Sequence, residues 1–448
     1  MILRHYVILI LLSLVFFGCT EDAIIEKNEV SKNDYPTDGP VLVEVVNEGS
    51  YSRIYRNGSP YYIKGGAYNN FLSEIPKYGG NSVRTYSIDE NTQSVLDSAL
   101  KYELTVCLGI WVGRETYGFD YDDEEAIAEQ LAQIKNDVMK YKDHPALLMW
   151  GIGNEVNGQY TNMKVWNAVG EISDMIHELD PYHLTTTVLA GTEPDDINEI
   201  IERAPSLDVL SVNSYSGIIN AQTKIASTGW SKPYLVTEWG PRGTYANPPK
   251  TSWGAPQELT STEKGEVYRT YYSDHIASNL KNSCNGSYVF LWGYQTHGQV
   301  ATWYGLFTRN GNPFESVHSM QYCWLGSFPS NRPPRIERQE DVLLNGMSAD
   351  KSVKVVSGKR NQATVKATDL EGEQLTYEWV IVKEGFILDK NDTTKSTLPG
   401  IAGLFESNTE NTVYFTVPEE GEYRLYAFVF DEAGNVASAA IPFMVEDL

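Results

Sequence analysis

Leu147-Leu148-Met149-Trp150-Gly151-Ile152-Gly153-Asn154-Glu155 carries the strongest architectural signal in the chain. Its apolar part is continuous rather than alternating, and it stops at a glycine, an amide and a carboxylate. A strand with this pattern is covered on both faces. Outward from it, seven more short runs read the same way, at residues 61–64, 82–85, 104–110, 184–189, 209–213, 234–237 and 288–291. Helical period separates them. Ile127, Leu131, Ile134, Val138 and Tyr141 share one face, as do Trp166, Val169, Ile172, Met175, Ile176 and Leu179, and a last helix falls near 314–324. Eight such strands alternating with helices predict a (β/α)8 TIM barrel over residues 41–327. The rival is a doubly wound open sheet. It wants a glycine-patterned phosphate turn after its first strand, and Lys64-Gly65-Gly66-Ala67 lacks that pattern. Ahead of the barrel, residues 41–64 read as a strand pair around Arg56-Asn57-Gly58-Ser59, a hairpin signal.

Downstream, residues 328–334 form a proline-bearing linker. Residues 335–448 then change to alternating runs at 363–367, 375–383, 412–417, 423–431 and 437–445, which predict a C-terminal antiparallel β-sandwich. Thr368-Asp369 followed by Leu375-Thr376-Tyr377-Glu378-Trp379 resembles Ig-like or PKD-like modules of bacterial secreted enzymes. Support packed against the barrel is the expected role, and independent glycan binding the sharper alternative.

Arg4 and the apolar run 6–17 form a signal segment, too short for a membrane-spanning helix. It ends in Phe16-Phe17-Gly18-Cys19, which resembles a bacterial lipobox, so residues 1–19 are expected to be a lipoprotein signal with Cys19 lipidated. Thr20-Glu21-Asp22 resembles the surface-export signal of Bacteroidota lipoproteins, and 20–40 reads as a polar tether. The expectation is an outer-membrane lipoprotein held by its lipid anchor and displayed at the cell surface, with a periplasm-facing one as the alternative. Cys107 reads as a buried thiol; Cys284 and Cys323 are either free or paired. A net charge of −24 argues against nucleic acid as a partner.

In a barrel the reactive groups sit at the C-terminal strand ends. Glu155 ends strand four. Glu238 ends strand seven, in Tyr234-Leu235-Val236-Thr237-Glu238-Trp239-Gly240. Two carboxyls facing across one mouth do not titrate alike: one stays protonated as an acid while the other is ionised. That division suits glycoside hydrolysis, and a short carboxyl–carboxyl spacing gives retention through a covalent intermediate. The acidic run Asp120–Glu125 opens a helix, where acids complement its dipole; it lacks the spacing of a calcium loop. Two carboxylates suffice for this chemistry, so no cofactor and no metal is expected.

Gly153-Asn154-Glu155 and Thr237-Glu238-Trp239-Gly240, each on its own strand, resemble the paired motifs of clan A retaining glycoside hydrolases. The resemblance implies Glu155 as acid/base and Glu238 as nucleophile. It also implies Asn154 on the sugar 2-hydroxyl, Arg84 holding the nucleophile ionised, Tyr215 donating to Glu238, and Trp292 flooring the −1 subsite. Trp111 after strand three and Trp253 on the long loop after Glu238 are further candidate substrate-binding residues, and Tyr117, Phe119, Tyr121, Trp303 and Tyr304 lie on loops where either the cleft or packing could use them. Signal, single barrel and Ig-like domain together resemble glycoside hydrolase family 158, whose members are endo-β-1,3-glucanases acting on laminarin-type glucans. The barrel also resembles the catalytic domain of family 2, but the N-terminal sugar-binding and sandwich domains of typical family 2 enzymes are missing here. An endo-acting polysaccharide hydrolase on β-1,3-glucan is therefore expected, with β-mannanase or another clan A endo-β-glycanase second. A transglycosylase would use the same residues. A non-catalytic surface glycan-binding lipoprotein would have no need of both glutamates.

Overall fold

The computed structural model describes residues 38–295, 300–386 and 397–447. The signal segment, Cys19 and most of the tether lie outside the described residues. Among the described residues no helix is long and apolar enough to cross a membrane.

Eight parallel strands close into a barrel. In chain order they are Ile63–Tyr68, Ser82–Arg84, Thr105–Ile110, Leu147–Ile152, Leu184–Ala190, Val209–Asn213, Tyr234–Glu238 and Cys284–Trp292. They are called barrel strands one to eight below. Strand eight pairs with strand one, Gly286 opposite Ile63, which closes the ring. Every residue of strands three, four, six, seven and eight is buried, as continuous apolar runs demand. Outside, α-helices follow strands two to eight: Thr92–Lys101, Glu124–Tyr141, Lys164–Leu179, Pro194–Arg203, Ile218–Ala226, Ser261–Tyr271 and Glu315–Leu325. Asp123 caps the second of these, accepting from the backbone of Glu125 and Ala126, so the acidic run opens a helix as read from the sequence.

The eightfold alternation has one exception. The connection after strand one holds only two 3₁₀ turns, Leu72–Glu74 and Pro76–Tyr78. It is short, and Pro76 and the left-handed Gly79 stop the chain before a helix can propagate.

The N-terminal hairpin, Val43–Glu48 with Tyr51–Arg56, caps the lower end of the barrel. Ile54 N–H donates to Asn285 Oδ1 at 2.9 Å, Ser52 N–H to Ser283 Oγ at 2.9 Å, and Arg56 Nη2 to Pro145 O at 3.0 Å. Those partners stand at or just before the starts of strands eight and four, so the hairpin covers the N-terminal end of the barrel. The Asn57-Gly58 signal is real, with both residues left-handed, but it turns the chain into the short pair Arg56–Ser59 rather than joining the two long strands.

Beyond the barrel, two four-stranded sheets stack as a sandwich. One orders Val342–Leu344, Arg360–Val365, Thr412–Thr416 and Phe405–Ser407; the other Lys354–Val356, Val436–Glu446, Gly421–Phe430 and Thr376–Lys383. All pairings are antiparallel except Lys354–Val356 on Val436–Glu446, which is parallel. The sandwich is docked. Phe314 from the barrel side packs with Val380, Val382, Tyr426 and Phe428, and the buried Arg424 donates to Pro256 O at 2.7 Å. Residues 328–334 are pinned rather than free: Arg332 lies over the Phe328 ring at 3.5 Å and bonds Glu315. Cys107, Cys284 and Cys323 are all free thiols, so Cys284 and Cys323 are not bridged.

Candidate active site

The C-terminal end of the barrel is built around one buried cation. Arg84 ends strand two, and its side chain is 2% exposed. Its Nη1 donates to Glu238 Oε1 at 3.0 Å and to Thr237 O at 3.2 Å; its Nη2 donates to Asn154 Oδ1 at 2.6 Å. One guanidinium fork thus joins the ends of strands four and seven.

Asn213 completes the link. Ending strand six, it donates through Nδ2 to Glu155 Oε1 at 2.9 Å and to Asn154 Oδ1 at 3.2 Å, and accepts from Thr237 Oγ1 at 3.0 Å. With its oxygen occupied twice, the Asn154 amide has its two N–H donors left for a ligand. On the other side, Tyr215 OH donates to Glu238 Oε2 at 2.9 Å. Glu238 therefore holds two donors, one per oxygen, and both favour its ionised form.

The turn that presents Glu155 is local in origin. Gly153 has φ +73° and Glu155 φ +52°, so the chain leaves the sheet sharply after Ile152. A non-glycine residue in the left-handed region is uncommon and clusters at functional sites. The conformation is held by Glu155 N–H to Val188 O at 2.8 Å and by Arg114, which bonds Asn154 O. Arg114 comes from the loop after strand three, and Glu115 beside it takes Thr161 Oγ1 at 3.1 Å, so that loop is latched onto the one following Glu155.

The two carboxylates differ in setting. Glu238 is 6% exposed, whereas Glu155 is only half-buried. Burial pushes the Glu238 carboxyl above the ordinary glutamate range; Arg84 pulls it back, Glu155 pushes it up again, and the Tyr215 hydroxyl pulls it down, leaving a net rise. Burial and then the charge of Glu238 push the phenols of Tyr215 and Tyr86 up, so both remain donors. Tyr86 carries the Arg84 guanidinium over its ring at 4.6 Å.

Of the residues singled out from the sequence, Arg84, Asn154, Glu155, Tyr215 and Glu238 are brought together. Trp292 is not. It is fully buried on the outside of the barrel wall, stacked on Trp324 at 5.7 Å, and its indole N–H donates to Phe71 O at 3.1 Å. Pairing of strand eight with strand one slips between Val289 and Trp292, which turns the indole away from the mouth. The ring that strand eight does offer is Phe290, 5.8 Å from Tyr215 and 5.3 Å from Tyr304. Trp253 is half-buried beside the sandwich, where Ser252 N–H reaches Ser352 Oγ at 2.9 Å. The same loop instead sets Tyr245, 74% exposed, against Tyr215. Trp111 and Tyr117 are exposed on the rim, whereas Tyr121 and Trp303 are buried packing.

Among the described residues, one acidic group is tight enough to consider for a cation: Asp369, Glu373 and Asp431 on the sandwich, with carboxylate oxygens within 4.8 Å of one another. Asn331 and Asn435 already donate to Glu373 and Asp431 there.

Residues 83–326, over half of the chain, match the TIM-barrel domain of the glycosyl hydrolases family 2. A 69-residue stretch is 38% identical to mannan endo-1,4-beta-mannosidase F of Aspergillus clavatus, covering 15% of this chain and 16% of that protein. Among solved structures, the β-D-glucuronidase of Dictyoglomus thermophilum aligns over 64% of this chain and 54% of its own, at 16% identity and a TM-score of 0.49. The β-galacturonidase of Eisenbergiella tayi gives 0.49 at 17% identity over the same shares. β-Glucuronidase 2 of Bacteroides uniformis gives 0.45 at 14%, over 91% of this chain and 48% of its own. The chain thus spans about half the length of these structures and a smaller part of the mannosidase.

Proposed function

The chain belongs to the glycosyl hydrolases of family 2 through its TIM-barrel domain, and from that premise we propose that it is a retaining, endo-acting β-glycanase with Glu155 as acid/base and Glu238 as nucleophile. The observation that carries this reading is the Arg84 fork joining Asn154 and Glu238, with Asn213 extending the link to Glu155. Two carboxylates at one mouth, one buried between donors and one nearer solvent, suit a double displacement. Glu238 attacks the anomeric carbon while Glu155 protonates the departing oxygen. Water then attacks the glycosyl-enzyme, and Glu155 takes its proton back. Arg84 and Tyr215 favour the ionised form of the attacking carboxylate and so oppose the effect of its burial. The free amide N–H of Asn154 meets the 2-hydroxyl of the sugar.

Endo action is supported by the rim. Trp111 and Tyr117 stand exposed on the loop after strand three, and Tyr245 on the loop after strand seven. Flat exposed rings on separate loops suit a chain that continues past the bond being cut. For the substrate we favour β-1,3-glucan, from the resemblance of the sequence plan to family 158. β-Mannan is the second reading, favoured by the stretch similar to a mannan endo-1,4-β-mannosidase. A polysaccharide substrate agrees with the surface lipoprotein anchored at Cys19 that the N-terminal sequence suggests.

The deciding experiment is a panel of laminarin, mixed-linkage glucan, mannan, xylan and galactan, with products sized over time and their anomeric configuration read by proton NMR. A ladder of β-configured oligosaccharides from laminarin is the expected result. Monosaccharide alone, or first products of α configuration, would overturn the reading. A second outcome concerns pH. Tyr215→Phe removes a donor that lowers the pKa of Glu238, so the acidic limb of the kcat/KM profile should move to higher pH. An unmoved limb would mean that Tyr215 does not set the titration of Glu238.

A further inference from the structure

A cavity of about 500 Å³ lies on the flank of the barrel, between the loop after strand two and the helix Glu124–Tyr141. Its lining combines the buried Ile110, Ile134 and Tyr141 with Gln133, Asp137 and the exposed Trp111. We infer that this groove is a second binding site for the neutral glycan chain, apart from the mouth that holds the two carboxylates.

The volume falls within the range of small-molecule sites, about 300–1,000 Å³. Its make-up matches a sugar on two counts. A pyranose has apolar C–H faces that lie on flat or aliphatic surface, and its edge carries hydroxyls that pair with planar amides and carboxylates. The groove lining offers an indole that is 50% exposed, the aliphatic side chains of Ile110 and Ile134, and an amide and a carboxylate from Gln133 and Asp137. Charge narrows the ligand further. Asp89, Glu90 and Asp137 outnumber Lys140, which disfavours a polyanionic chain.

Continuity with the mouth makes the occupant the substrate chain itself. The Trp111 loop touches both places. Its Gly113 N–H donates to Gln130 Oε1 of the groove helix at 2.7 Å, and its Arg114 bonds Asn154 O at the Glu155 turn. The Arg114 guanidinium lies 5.6 Å from the Trp111 ring and 5.9 Å from that of Tyr117, so the three side chains form one platform between groove and mouth. A chain leaving the mouth over that platform runs into the groove. This inference rests on the glycanase reading for the identity of its ligand, but its test does not rest on hydrolysis.

The test uses the full chain carrying Glu238→Gln, run in native gels cast with laminarin or with β-mannan. Mobility should be retarded in at least one of them. Adding Gln133→Arg, which fills the groove from an exposed position on the helix, should weaken the retardation about tenfold, and Trp111→Ala should do likewise; thermal melting shows that each variant is folded. In protein with Glu238 intact, Gln133→Arg should lower kcat/KM on the polysaccharide about tenfold relative to that on a trisaccharide. Retardation unaffected by Gln133→Arg, or none with either polysaccharide, overturns the groove. Groove-dependent retardation in a protein that proves to have no hydrolytic activity would uphold the groove while sinking the enzyme reading.

Discussion

Glu238→Ala should abolish turnover of the natural polysaccharide, with a loss on the order of 10⁵–10⁶-fold in kcat, the scale seen when a covalent nucleophile is removed. The variant keeps everything that positions a substrate and loses only the oxygen that attacks. That side chain is 6% exposed and lies between Arg84 at 3.0 Å and Tyr215 at 2.9 Å, so its loss opens a small, cationic, hydrogen-bonding hole beneath the anomeric carbon. Azide fits such a hole. With a dinitrophenyl β-glycoside, which needs no protonation to leave, azide should restore activity and yield the glycosyl azide of inverted, α configuration. Folding must be controlled for, because removing one partner of a buried ion pair costs about 3–5 kcal/mol. Here the cost is softened, since Arg84 retains Thr237 O and Asn154 Oδ1. Glu238→Gln, which keeps the shape of the carboxylate, is the matched control and should be equally inactive. Undiminished hydrolysis by either variant would remove the nucleophile assignment altogether.

Much of this site could be read from the chain alone, for a physical reason. A strand buried on both faces is a continuous apolar run, so a carboxylate at its end stands out, and a barrel gathers all such ends at one rim. Glu155 and Glu238 are legible in that way, each as the first charge after buried residues, whereas Arg84 enters only through the resemblance of the paired motifs. Asn213 carried the same signal, a polar residue ending strand six after Val209, Leu210 and Val212, yet an amide in that place reads equally well as a cap. What the sequence hides is direction. Strict alternation along strand eight puts residues 288, 290 and 292 on one face, and only the slipped pairing after Val289 shows that Phe290 looks inward and Trp292 outward. The fate of loops is hidden as well. Trp253 and Tyr245 lie on one loop, and only the structure shows the first half-buried beside the sandwich and the second set against Tyr215. The helix missing after strand one has local signals in Pro76 and Gly79-Gly80, which stop the chain before a helix can propagate.

Glu155→Ala supplies the complementary result, and the two variants together fix the roles more firmly than either can. General acid catalysis is worth about 10²–10⁴-fold, and it counts only when the leaving group needs a proton. The variant should therefore lose roughly that factor on polysaccharide, while the first step on a dinitrophenyl β-glycoside stays fast. The second step then stalls for want of a base, so a burst of dinitrophenol should precede a slow steady state. Azide relieves the stall by attacking the glycosyl-enzyme where water would have done, on the face opposite Glu238. Its product is then the azide of retained, β configuration. The same reagent thus gives the α azide in one variant and the β azide in the other, because it replaces a different carboxylate each time. Swapped products would exchange the roles of Glu155 and Glu238. Equal losses on activated and natural substrates, with no azide product in either variant, would leave the network around Arg84 as structure without this chemistry. Asn213→Ala gives an internal check on the same logic: it removes the donor at 2.9 Å from Glu155 Oε1, so it should slow polysaccharide cleavage more than cleavage of the activated glycoside.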